Sequence, residues 1–179
     1  MKTLSFLAGL VGISLLCTGC DIKPEQIKVI SQNAGLFSAV GWIAVDNPDS
    51  NAVESVKIIL VTIEEKSADV QAGATYTEVV YPEVVKVIDE KVEVQYRPVC
   101  KAGALSLLGG IDILFATHPE WKADQDLAIE VVNAFILGAK AGLSMKEGDP
   151  VMIQARVTAT KRAKVLVPAP AKKNGWFRK

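Results

Sequence analysis

The sequence predicts a mainly α protein: a helical bundle built from two helical hairpins. Three observations carry that expectation. Apolar and small residues recur at spacings of three and four along most of the chain, which lays them on one face of a helix. Proline-centred polar stretches cut the pattern, as at DNPDSN (46–51) and THPEW (117–121). And SAVGWIAVDNPDS (38–50) aligns with GGIDILFATHPEW (109–121) when Pro48 is set on Pro119, an internal repeat of helix, proline turn, helix. Two antiparallel hairpins packed together are the form such a repeat would take. The small residues Ser38, Ala39, Gly109 and Gly110 would let helices approach closely.

Taken in order, Ile27, Ile30, Ala34, Phe37, Gly41 and Ala44 form the inner face of a first helix, which the Pro48 turn ends. Val53, Val56, Leu60, Ile63 and Val70 form that of a second, with Ser67 as the polar member of the same face. Ile58, Ile59 and Val61 widen it, and Gly73 stops it. GATYTEVVYPE (73–83) reads as irregular, with Pro82 as the first residue of a third helix through Val84, Val85, Ile88 and Val92. Beyond it Val92, Val94 and Tyr96 alternate with Glu93, Gln95 and Arg97, so 92–97 could be a short strand until Pro98 breaks it.

A fourth helix runs from about Val99 to Thr117 with Leu105, Leu107, Leu108, Ile111, Leu114 and Phe115. A fifth runs from Pro119 to about Ala141, with Ala128, Val131, Val132, Phe135, Ile136 and Ala139 on its apolar side and Gly142 as its C-cap. The stretch 151–165 reads two ways. Asp149 and Pro150 make a good helix start, while VMIQARVTATKRAKV alternates as a strand does, with 92–97 as its only partner; the helical setting tips the balance to helix. The chain thus divides into a leader (1–19), a helical domain (20–149) and a basic C-terminal segment (150–179), flexible from about residue 168.

The leader reads as a signal peptide. Lys2 gives it a positive start. Leu4 to Leu16 is an apolar run of roughly 13 residues, short of the about 20 that a bilayer span needs. Thr18 and Gly19 are small residues directly before Cys20. CTGC (17–20) resembles the acylation site of a bacterial lipoprotein precursor and matches its last three positions. Cys17 stands where that family usually has leucine, with Leu15 and Leu16 just upstream. The resemblance covers the leader alone. It implies cleavage before Cys20, acylation of that thiol, and a mature chain held in membrane lipid on the periplasmic side of the cell envelope. The following Asp21 implies retention at the inner membrane, as in enterobacterial members of the family.

Charge is unevenly laid out. Cys20 to Asp149 holds 11 basic against 20 acidic residues; after Asp149 there are eight basic residues and no acidic one. An acidic body on an exported chain excludes nucleic acid as a partner. Lys172, Lys173, Trp176, Phe177, Arg178 and Lys179 combine cations with aromatics. That combination suits anionic lipid, at about 1 kcal/mol per basic residue near the surface, or a protein partner.

The search for chemistry points away from catalysis, and no catalytic residue, metal or cofactor is expected. His118 is the single histidine, in a turn with no second histidine or cysteine pair beside it. There is no nucleophile elbow, and LLGG (107–110) lies inside a helix without the lysine and threonine of a phosphate loop. Glu64 and Glu65, Asp89 and Glu90, and Asp124 and Asp126 are expected on solvated faces, since neighbours on a helix do not face each other. Asp112 interrupts an apolar helix and is expected to mark its wet stripe; the alternative is a buried, partnered carboxylate. Cys100 is expected as a small buried apolar side chain.

Together these observations lead to the expectation of a non-catalytic, lipid-anchored envelope protein that acts as an accessory or adaptor, offering a helical surface to a protein partner. Two other roles fit the same features: a carrier holding a hydrophobic ligand in a cavity of roughly several hundred Å³, and a structural or lysis-related lipoprotein of a bacteriophage or mobile element.

Overall fold

Residues 23–71, 73–118, 125–145 and 148–155 are described by a computed structural model. Five long helices follow one another: α1 (Pro24–Asp46), α2 (Ser50–Ser67), α3 (Tyr76–Lys91), α4 (Arg97–Thr117) and α5 (Gln125–Leu143). A short α6 occupies 150–155. The mainly α bundle that the periodicity predicts is the architecture found, and no strand occurs among the described residues.

The stretch 92–97 is not a strand. Val92 is the C-cap of α3, donating its N–H to the Ile88 carbonyl at 3.1 Å, residues 94–96 form a turn and Arg97 begins α4. Residues 151–155, the described part of 151–165, are helical, and Met152 is fully buried.

Local signals set the boundaries. Asp49 caps α2 by accepting from the Ala52 N–H at 2.8 Å. Asn47 ends α1 in the left-handed region, φ 45°, where asparagine is tolerated. Gly73, φ 94°, marks the turn after α2. Within α2 the buried hydroxyls of Ser55, Thr62 and Ser67 each donate to the carbonyl four residues back, so none is left unpaired.

One boundary differs from the sequence expectation. Helix α3 starts at Tyr76, six residues before Pro82, which lies inside it on the exposed face. Proline inside a helix costs about 3 kcal/mol. Two features offset that cost: the burial of Tyr76, Val80, Val84 and Ile88, and a strong N-terminus. Thr75 accepts from the Glu78 N–H at 3.1 Å while Glu78 accepts from the Thr75 N–H at 3.2 Å, a reciprocal capping box.

The pairing of helices also differs. Helices α2, α3 and α4 pack as consecutive antiparallel neighbours, but α1 does not pack along α2 across the Pro48 turn, nor α4 along α5. Instead α1 lies on α5, the most extensive helix pair among the described residues. Their contacts ascend together: Lys28 pairs with Glu130, the Ser31 hydroxyl donates to the Val131 carbonyl at 2.8 Å, and Gly142 sits against Leu36 and Ala39. The two helices therefore run parallel.

Glycine is why α5, rather than α2, receives α1. A Cβ on Gly138 would stand 1.8 Å from the Gln32 carbonyl oxygen, one on Gly35 2.0 Å from that of Phe135, and one on Gly142 2.8 Å from that of Leu36. Backbone meets backbone, which only residues without side chains permit. Gly142 is thus an interior packing residue of α5 and not its C-cap. The inner face of α1 is Ile27, Ser31, Gly35, Ser38, Ala39 and Trp42, all buried, while Phe37, expected inside, is 64% exposed. The small pair Ser38–Ala39 is buried in the bundle, whereas nothing lies within 4 Å of a Cβ placed on Gly109, so the two ends of the sequence repeat do different work.

Candidate functional site

Asp112 joins two helices of the bundle through its carboxylate. It projects from α4 at the start of α3, where its Oδ1 accepts from the Tyr76 N–H at 2.7 Å and its Oδ2 from the Thr77 N–H at 3.0 Å. Both amides belong to the first turn of α3 and have no partner within that helix. A carboxylate from another helix therefore completes the cap that Thr75 begins, at the positive end of the helix dipole. The wet-stripe expectation for Asp112 is overturned: the group is half-buried and bound by two backbone donors. Beside it the Tyr76 and Phe115 rings stack at 5.8 Å and 23°. Burial, and then the Asp112 charge, pushes the Tyr76 phenol up to about 12.

A second polar cluster joins the turns at the opposite ends of α2 and α3. The Tyr96 hydroxyl donates to Asp49 Oδ2 at 2.6 Å, and the Asn51 amide donates to Glu93 at 2.9 Å. The Tyr96 hydrogen bond, followed by that of the Ala52 N–H, holds the Asp49 carboxyl below its usual range, and the same bond pushes the Tyr96 phenol up to about 12. Both tyrosines keep their protons in the folded chain at a pH where the unfolded chain, titrating near 10, gives them up. Their contribution is complete below about pH 10 and is lost as pH rises towards about 12. The urea midpoint is therefore expected to fall over that interval, and to fall less steeply in Tyr96→Phe; tyrosinate absorbance read alongside would locate both titrations. A wild-type midpoint flat across the interval would contradict this.

Two of the other carboxylates noted in the sequence serve as surface ties. Glu64 pairs with Lys140 of α5, and Asp89 with Lys101 of α4 at 2.7 Å, while Glu65, Glu90 and Asp126 are exposed. His118 is the C-cap residue of α4, its N–H on the Leu114 carbonyl. No group of three or more histidine, cysteine or acidic residues that could hold a metal occurs among the described residues. Asp124, Cys20 and the tail residues Lys172, Lys173, Trp176, Phe177, Arg178 and Lys179 lie outside the described residues.

Two features of α4 go beyond structural ties. The first is its outer face. The helix carries three charged side chains, and all are occupied on the α3 side: Arg97 Nε donates to the Val92 carbonyl at 2.8 Å, Lys101 meets Asp89, and Asp112 caps α3. The outward stripe of Val99, Ala102, Leu105, Ile113 and Ala116 is left exposed and without charge. Leu105, expected inside, belongs to it at 44% exposure. By length and composition alone, Arg97–Thr117 is apolar enough to cross a membrane, and 39% of its most apolar 18-residue window is buried in the bundle.

The second feature is a half-open cavity of about 100 Å³ where α1, α2 and α4 meet, lined by Trp42, Val56, Leu60, Cys100, Gly103 and Leu107 among others. Its walls are almost wholly apolar. Cys100 is buried there, as expected, and desolvation pushes its thiol up from its ordinary value.

Periodicity could not find the Asp112 cap, because the contact joins residues 36 apart. The capping box beneath it was legible as Thr75-x-x-Glu78. No family model, no curated protein and no solved structure matches this chain.

Proposed function

We propose that the chain is a non-catalytic, lipid-anchored protein of the bacterial cell envelope that works as an adaptor, presenting the outer face of α4 to a protein partner. The observation that carries this reading is the occupation of all three α4 charges on the α3 side, which leaves Val99, Ala102, Leu105, Ile113 and Ala116 as an uncharged stripe. Uncharged apolar stripes on a helix are the usual anchors of helix-mediated recognition. The CTGC leader supports tethering through acylated Cys20, and the basic aromatic tail would add a second contact to lipid or to the partner. The polar groups support a scaffold role, since Asp112, Asp49, Asp89 and Glu64 each hold two parts of the fold together.

Two measurements test the reading. Intact mass of the protein recovered from membranes is expected to show a chain beginning at Cys20 with added acyl mass, and Cys20→Ala is expected to abolish both. A photo-crosslinking residue at Leu105 or Ile113 in intact cells is expected to capture a discrete protein, while the same residue at Glu83, on the exposed side of α3, captures none. A bare Cys20 thiol removes the anchor from the proposal, and equal capture from both faces removes the docking face.

A further inference from the structure

The cavity beneath Trp42 is apolar, of definite size and kept open by a residue that the backbone does not require. Gly103 lies inside the 21-residue helix α4, where glycine costs about 1 kcal/mol relative to alanine. Gly35, Gly138 and Gly142 are needed because another backbone stands where their Cβ would be; Gly41, Gly103 and Gly109 have open space there, and of these three only Gly103 lines the cavity. At Gly103 nothing lies within 4 Å of that position, and its φ is not positive. What the missing side chain leaves is the space of the cavity itself.

We propose that this cavity is a binding site for a compact, uncharged, apolar ligand: a benzene-sized ring, or the end of an aliphatic chain. The chemistry of the walls sets the class. Val56, Ile59, Leu60 and Leu107 offer dispersion contacts, and the Trp42 indole and the Cys100 thiol add polarisable surface. With almost no polar surface, the site has nothing to repay the desolvation of a charged ligand. Its volume of about 100 Å³ sets the size. Apolar cavities of about 150 Å³ stay dry and take benzene, whereas drug-sized ligands need about 300 Å³ or more. Val99 and Ala102 line the half-open cavity and are exposed, so they offer an entry path. This goes beyond the adaptor reading and does not depend on it.

Cys100 lines the site and reports on it. In the full chain, alkylation of Cys100 by N-ethylmaleimide is followed by peptide mass spectrometry, which separates it from Cys17 and Cys20. With benzene at about five times its Kd, the reaction is expected to slow about sixfold, as 1 + [L]/Kd requires, and the melting temperature to rise. Decanol tests a chain end in the same way, and protection by either compound supports the site. Benzoate, the charged ring, is expected to give no protection. Gly103→Leu fills the cavity and is expected to abolish protection, while Gly109→Leu, the same exchange on the same helix outside the cavity, keeps it. Should Gly103→Leu fail to fold, by circular dichroism, Gly103→Ala serves, with weakened protection expected. Unprotected Cys100 with both benzene and decanol overturns the proposal, as does protection by benzoate equal to that by benzene.

Discussion

Alanine at Gly138 is expected to destabilise the domain by about 3 kcal/mol or more, the upper end of what overpacking costs. The contact is with rigid backbone: the new methyl would stand 1.8 Å from the Gln32 carbonyl oxygen and 3.0 Å from the Leu36 nitrogen. No rotamer change relieves that, so α1 and α5 must part along the interface that also holds the Ser31–Val131 hydrogen bond. Against a usual stability of about 5–15 kcal/mol, the loss is a large share. Gly109→Ala is the control: with nothing near its Cβ position, it is expected to gain about 0.5–1 kcal/mol from helix propensity alone. Urea unfolding at unchanged slope measures both. A Gly138→Ala midpoint at or above wild type would show that the helices are not held at this distance.

Removal of the Asp112 carboxylate has the second largest expected effect. Asp112→Ala leaves two first-turn amides of α3 without their acceptor in a half-buried place, at about 2–3 kcal/mol. Asp112→Asn, which retains one acceptor oxygen, is expected to lose about half of that. The loss has a local signature, because α3 must also carry Pro82. Amide exchange at Tyr76 and Thr77 is expected to accelerate ahead of exchange in the core of α4. Unchanged protection at those two amides in Asp112→Ala would rule out the capping role.

These two sites mark where the sequence could and could not be read. Side chains that bury apolar area announce themselves: Ala128, Val131, Val132, Phe135, Ile136 and Ala139 were all legible as the inner face of α5, and all are buried. Ser67, read as the polar member of the α2 face, is fully buried, with its hydroxyl on the Ile63 carbonyl. The inner face of α1 was misread because its contact is made by what is missing. Ser31, Gly35 and Ala39 carry little hydrophobic signal, so Phe37 attracted the assignment that the small residues deserved. The spacing Gly138-x-x-x-Gly142 was the available clue, since glycines four apart line one helix face. The uncharged stripe of α4 was hidden for a different reason. Arg97, Lys101 and Asp112 look like a solvated face in sequence, and only their partners on and beside α3 show that they point the other way.

The parallel contact of α1 and α5 bears on how the protein is made. Ser31 and Val131 are 100 residues apart in the chain, so α1 has no tight partner among the described helices until α5 has left the ribosome. Loop closure over that span is slow compared with the formation of local antiparallel neighbours. Helices α2, α3 and α4 can assemble early, while α1 waits, its glycine face open to water. Docking of α1 onto α5 is therefore expected to complete the fold, after the local core of α2, α3 and α4 has formed.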